Sequence, residues 1–391
     1  MTSVQSSQET SEKVLAILDE EGSLAAADRL LDIFRERKQF AELFEVHKMR
    51  SRIAIGLSPV ATPDDPALTE EQQDQLERAM LEACREVGTA LLQLGRLEEG
   101  WMYMRPVGDR AASAAALSGV SVTDENLDAL IHLYVHESVD VGRGTALSLE
   151  HRGVCNTITM MDSAVSQHGR TEQQAAVSVL VRHVHAEVLA AVHGDLQRRG
   201  LSGSDSETLA QALEQNPNLM TDGGYHMDTT HISSTVRFSR VLDEPATLRL
   251  GLDLAVYGTY LHSNYQYPGD EPFSDLHAST AAFLRTLLGE KVDQGLRLFR
   301  SRAEDLNVAE HGTVAIETYA DLLARIGKNE EALKFLVRRM PVGERPCGIA
   351  PSLLELCSAT GDFQPMIDQA RDREDLVGFA AAVLQRASRQ S

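Results

Sequence analysis

The sequence predicts an all-α fold, an α-solenoid of stacked helical hairpins with a specialised His-rich centre, and three observations carry that expectation. Apolar residues recur every three or four positions through long stretches at both ends of the chain. No set of alternating apolar and polar runs marks a sheet. In the last quarter a glycine stands at the same place in successive hairpins, Gly327 and Gly361, 34 residues apart.

Length and composition bound the rest. At 391 residues the chain has room for two or three domains, or for one elongated repeat array. A hydrophobic fraction of 43% supplies a core and argues against a disordered chain. Lys+Arg 37 against Asp+Glu 58 leave a formal net charge of −21, which repels phosphate backbones and anionic lipid. Neither nucleic acid nor a membrane surface is therefore expected as a partner. Cys84, Cys155, Cys347 and Cys357 show no CxxC spacing, and read as reduced thiols in a cytoplasmic protein. The polar start MTSVQSSQET, residues 1–10, has no apolar segment and reads as a disordered lead rather than a signal peptide. No run of about 18 apolar residues is apparent, so no membrane-crossing helix is expected.

Residues 11–58 form a helical hairpin by their apolar period, with Ser23 as an N-cap. Pro59, Pro63 and Pro66 then fall within an acidic stretch; prolines so close together cannot sit inside a helix, and 59–71 reads as a linker. A second hairpin covers 72–120, where helix, LGRLEEG and helix follow one another, and repeats of the same kind fill 286–391. Gly88, Leu91, Gly95 and Gly100 in the first of these, and Gly327 and Ala332 in VAIETYADLLARIGKNEEALKF, follow one pattern, in which a glycine breaks the pair and a small residue lets the second helix pack closely. On those residues, and on the 34-residue step from Gly327 to Gly361, the terminal portions resemble tetratricopeptide repeats. The resemblance implies a scaffold whose concave groove takes a peptide or partner chain. It lapses over 121–285, where the small packing positions do not recur.

That centre still reads as helical, from DENLDALIHLYVHESV through TTHISSTVRFSRVL and ATLRLGLDLAVYGTYLH to the helix at 274–288. Its middle, TEQQAAVSVLVRHVHAEVLAAVHGDLQRR, is apolar almost all round yet carries His183, His185, Glu187 and His193. A buried helix holds such groups only when they are paired, hydrogen-bonded or metal-bound. Nine of the thirteen histidines lie between His132 and His231. Imidazoles and carboxylates converging from several helices make a metal site, so His136, His183, Glu187, His226 and His231 are candidate ligands. Such an O/N set suits zinc, iron, manganese or nickel. Glu137 or Asp228 would be the general base on a metal-bound water. Arg237, Tyr265 and Tyr267, with Arg240, Asp270 and Phe273 nearby, would face a small polar substrate.

Each candidate has a plainer role beside the chemical one. His132 and His136 fit the polar face of an amphipathic helix. His183 and Glu187 fit a hydrogen-bonded pair locking two helices, and Asp228 or Thr229 fits an N-cap. Cys155 could be a nucleophile or a small thiol filling space. No GxSxG, Gly-rich phosphate loop or kinase set is present, so enzymes that depend on them are excluded. Two functions remain: a metal-dependent enzyme, hydrolysis being its least demanding reaction, or an interaction module whose histidines are structural.

Overall fold

The structure, a computed structural model, describes residues 2–203, 205–221, 223–269, 272–305, 307–341 and 346–389. Among these residues twenty α-helices pack in neighbouring pairs and no strand forms. The chain divides into two compact units between Leu147 and Ser148, inside the stretch 121–285 that the sequence reading treats as one centre.

The first unit holds α1 (Thr2–Glu21), α2 (Ser23–Arg37), α3 (Phe40–Ala54), α4 (Glu70–Gln93), α5 (Leu97–Val107), α6 (Arg110–Ser118) and α7 (Leu127–Ile131). From α1 to α5 each helix packs on the next. The apolar period explains the pairing, because Ala27 and Leu31 of α2, Phe40, Leu43 and Val46 of α3, and Val87 and Leu91 of α4 fall in one core. Each large side chain buried there contributes about 1.5–3 kcal/mol. After the proline-rich stretch, Thr69 restarts the helix with a capping box, its hydroxyl accepting from the Gln72 N–H while the Gln72 side chain accepts from the Thr69 N–H. The α4–α5 pair is close because both contacting residues lack a Cβ. One added at Gly88 would stand 2.7 Å from Met104 Cγ, and one at Gly100 would stand 2.8 Å from the Leu92 backbone nitrogen.

Three local features differ from the sequence reading. Residues 2–10, expected as a lead, carry helical backbone as part of α1. Gly22, not Ser23, occupies the N-cap of α2, with φ 91° that suits glycine. The helix expected from Thr123 through Val139 is a turn, then α7, then a π-helical turn over His132–His136.

In the second unit the chain continues from α8 (Val141–Ser163), which runs across the division and breaks at Gly153 (φ 76°). There follow α9 (Arg170–Arg199), α10 (Leu209–Gln215), α11 (Thr229–Phe238), α12 (Pro245–Tyr260) and α13 (Leu276–Leu287). Next come α14 (Val292–Glu304), α15 (Val308–His311), α16 (Val314–Arg325), α17 (Asn329–Arg339), α18 (Leu353–Thr360), α19 (Gln364–Asp372) and α20 (Leu376–Ser388). The helix α9 is the core element, in contact with α10, α11 and α12. Val177, Leu180, Val181, Val184, Val188 and Val192 are buried along it. By length and apolar content α9 would serve to cross a membrane, which corrects the expectation that no such segment exists. Its place among three helices of the unit accounts for that apolar content in another way.

Candidate functional site

The thirty residues of α9 distribute its ionisable groups over different faces, and only some turn inward. His185 does: its Nε2 lies 2.7 Å from Asp253 Oδ2 of α12, both side chains buried. The same carboxylate accepts the Leu209 N–H at 2.7 Å and the Ala210 N–H at 2.9 Å, the orphan donors at the start of α10. A carboxylate only accepts, so Nε2 of His185 carries the proton. One aspartate thus ties three helices. His226 makes a second network. Its Nδ1 is 2.9 Å from the Tyr257 hydroxyl, its backbone N–H donates to that hydroxyl at 3.1 Å, and its Nε2 stands 3.4 Å from Asp195 of α9. Burial lowers the His226 pKa and raises that of Tyr257. Burial also pushes Asp195 upward, but hydrogen bonds from Arg199, His226 and Arg198 outweigh it and leave its carboxyl below the usual range.

The remaining proposed ligands make other contacts. His183 pairs with Glu187 one turn on, at 3.2 Å, on a part-exposed face. Asp195 stands twelve residues beyond His183 on the same helix, about 18 Å along its axis. His226, which reaches Asp195, therefore cannot meet His183 at a single ion, whose ligands must lie within about 2.0–2.2 Å. In the first unit His136 stacks on His132 with ring centres 5.2 Å apart, and Glu137 stands 3.6 Å from Arg105 and 3.8 Å from His132. Asp228 caps α11, its Oδ1 accepting the Thr230 N–H at 2.9 Å and the Thr230 hydroxyl at 2.7 Å, and these bonds hold its pKa down. His231, on the first turn of that helix, donates its backbone N–H to Asp228. Among the described residues no three His, Cys, Asp or Glu side chains gather as a metal ion requires. The ligand set read from the sequence is thus not brought together. An apolar helix gives no period from which to read its inner face, so the sequence of α9 does not show which of its ionisable groups turn inward.

The aromatic candidates also part company. Tyr265 packs edge-on against Tyr225, ring centres 5.3 Å apart, and Tyr267 is exposed. Asp270 lies outside the described residues. Arg237 is different: it lines a pocket of about 520 Å³ in the second unit, a volume in the range of small-molecule sites.

Three arginines reach this pocket, Arg170 from the first turn of α9, Arg237 from α11 and Arg240 from the 3-10 turn that follows it. Phe273, Leu276 and Phe283 supply apolar wall. The one carboxylate among the lining residues, Asp321 of α16, accepts from Arg170 Nη1 at 2.8 Å and lies 3.4 Å from Arg325 Nη1. Burial raises the Asp321 pKa, with both arginines pulling it back down. Arg240 donates from Nε to Thr280 at 2.9 Å and from Nη2 to Ser279 at 2.8 Å, and its guanidinium lies 5.0 Å from the Phe273 ring centre. Burial brings its pKa down to about 10, with Asp275 acting weakly the other way. On the far wall Glu317 accepts the N–H groups of Cys347 at 2.6 Å and Ile349 at 3.0 Å, fixing the segment that closes the pocket. Sequence reasoning noted Arg237 and Arg240 but missed Arg170 and Asp321. A usable signal was present on α16, where Glu317, Asp321 and Arg325 recur at i, i+4 and i+8 on an otherwise apolar helix.

The fold and these networks define an all-α protein of paired helices with a polar core in one unit. Comparison with models of protein families, with curated proteins and with solved structures finds no match to the chain.

Proposed function

We propose that this chain is a recognition protein of tetratricopeptide-like build, working by binding rather than at a metal centre. Its helical hairpins would form a solenoid scaffold, and the histidines of the centre would be links within it. One observation carries the reading: three inward-facing histidines of the second unit each meet a polar group on another part of the fold. His185 meets Asp253, His226 meets Tyr257 and Asp195, and His277 meets Ser233 at 3.3 Å. These contacts tie helices together, and among the described residues no three His, Cys, Asp or Glu side chains gather around any of them as a cation would need. The tight α4–α5 approach at Gly88 and Gly100 supports the tetratricopeptide-like part of the proposal. Four cysteines without a disulfide fit a cytoplasmic setting. The partner would be a peptide, a protein or a small ligand with a negatively charged group, since three arginines line one pocket of this acidic chain.

The test is elemental analysis of untagged protein, before and after incubation with zinc, iron, manganese and nickel, alongside His183→Ala and His226→Ala. Metal content well below one ion per chain throughout is the expected result. One ion per chain, lost in both variants, would overturn the reading and restore a metal-dependent enzyme.

A further inference from the structure

We propose that the pocket between α9, α11, α13 and α16 is a binding site for a small organic oxyanion, a carboxylate or phosphate carried on an apolar or aromatic body. This inference does not rest on the recognition reading, because an enzyme could use the same pocket.

The first argument is charge. In a chain of net charge −21, three arginines converge on one pocket with a single carboxylate among its described lining residues. Two of them already have a carboxylate: Arg170 pairs with Asp321 at 2.8 Å, and Arg237 with Asp162 at 2.7 Å. Arg240 does not. Among the described residues its hydrogen bonds go to two hydroxyls, Ser279 and Thr280, which satisfy donors without neutralising charge. A guanidinium held in protein without a counter-ion costs stability, and proteins retain such groups where a ligand supplies the missing charge.

Geometry gives the class of ligand. A guanidinium presents a planar fork that matches the two oxygens of a carboxylate or phosphate. Arg240 uses Nε and one Nη for the hydroxyls, so among the described residues its other Nη is the donor left for a ligand. Phe273 and Phe283 form the apolar part of the wall, and Phe273 lies under the Arg240 guanidinium. Charge at one side and aromatic surface at the other call for an amphipathic anion. About 520 Å³ is far more room than inorganic phosphate fills.

The experiment uses the full chain and three probes, phenyl phosphate, phenylacetate and inorganic phosphate, with benzylamine as the cationic control. Binding is followed by calorimetry and by the shift in melting temperature. Phenyl phosphate or phenylacetate should bind at micromolar to submillimolar concentration, inorganic phosphate at least tenfold more weakly, and benzylamine not at all. Whichever organic anion binds tighter identifies the natural group as phosphate or carboxylate. Arg240→Met should weaken binding at least tenfold while melting at the same temperature as the wild type or higher, because it removes a buried charge that has no ion-pair partner among the described residues. Arg237→Gln, at an exposed pair that folding does not need, should weaken binding less. Should Arg240→Met melt well below the wild type and no anion bind the wild-type chain, the guanidinium is neutralised from within, and the proposal fails. Equal binding of all four probes would overturn it as well.

Discussion

The two units solve the problem of filling a helical core in different ways. In the first, the core is apolar: Ser113 and Thr145 are its only buried polar side chains among the described residues. Its ionic groups stay near the surface, as in the network where Glu86 accepts from Arg35 Nη2 at 3.0 Å and stands 2.9 Å from His47 Nε2. In the second unit lie all the buried carboxylate and histidine side chains described, His185, Asp253, His277, Glu317 and Asp321, with a long series of buried serines and threonines. Apolar packing sets which helices touch but leaves their rotation and depth adjustable. A buried carboxylate that must find three donors fixes both. The first unit therefore reads as a packing scaffold, and the second as a scaffold whose geometry is pinned by polar contacts around a pocket.

The sharpest way to break that contrast is at Asp253. Asp253→Ala leaves His185 and the first N–H groups of α10 buried without an acceptor, and should cost about 3–5 kcal/mol in urea-induced unfolding. A loss below about 1 kcal/mol would mean the polar core is not structural. The next effect is acid sensitivity. His277 is buried under α12, where Gly258 leaves room for its ring, and burial lowers its pKa to about 4 from an ordinary 6.5. The unfolded chain takes up a proton on this group between those values while the folded chain does not. Stability from His277 is thus complete above about pH 6.5 and falls by about 3 kcal/mol as pH drops to about 4. His277→Gln should remove that component from the pH dependence of unfolding. In the first unit, Gly100→Val should cost about 1–3 kcal/mol by forcing α4 and α5 apart at Leu92. That loss should not vary between pH 7 and pH 5. Smallest of all, His183→Ala removes only a part-exposed pair with Glu187, and should change stability by less than about 0.5 kcal/mol.

These positions also show what the sequence could and could not tell. Helical period, glycine placement and the proline-rich break were enough to locate most helices. The pairs α4–α5 and α16–α17 fall where Gly88, Gly100, Gly327 and Ala332 place them. Gly361 closes α18 in the left-handed conformation, as its place after the apolar run suggests. The centre was harder for a physical reason. The helix α9 is apolar on nearly every face, so its sequence does not show that His185 points inward while His183, two residues earlier, does not. The partner that decides the matter, Asp253, sits 68 residues on, in a helix read as simply apolar. Histidines so dense on buried helices suit a metal site and a set of helix cross-links alike. Only the positions of Asp253, Tyr257 and Asp195 separate the two, and those are tertiary facts.

A double-mutant cycle on His185 and Asp253, measured by urea unfolding of the full chain, tests most directly whether the central histidines bind the helices together. The two replacements, His185→Ala and Asp253→Ala, should be strongly non-additive, with a coupling energy of about 1–3 kcal/mol. Losses that add to within about 0.5 kcal/mol would show that the two side chains do not hold each other, and the polar core of the second unit would need another explanation.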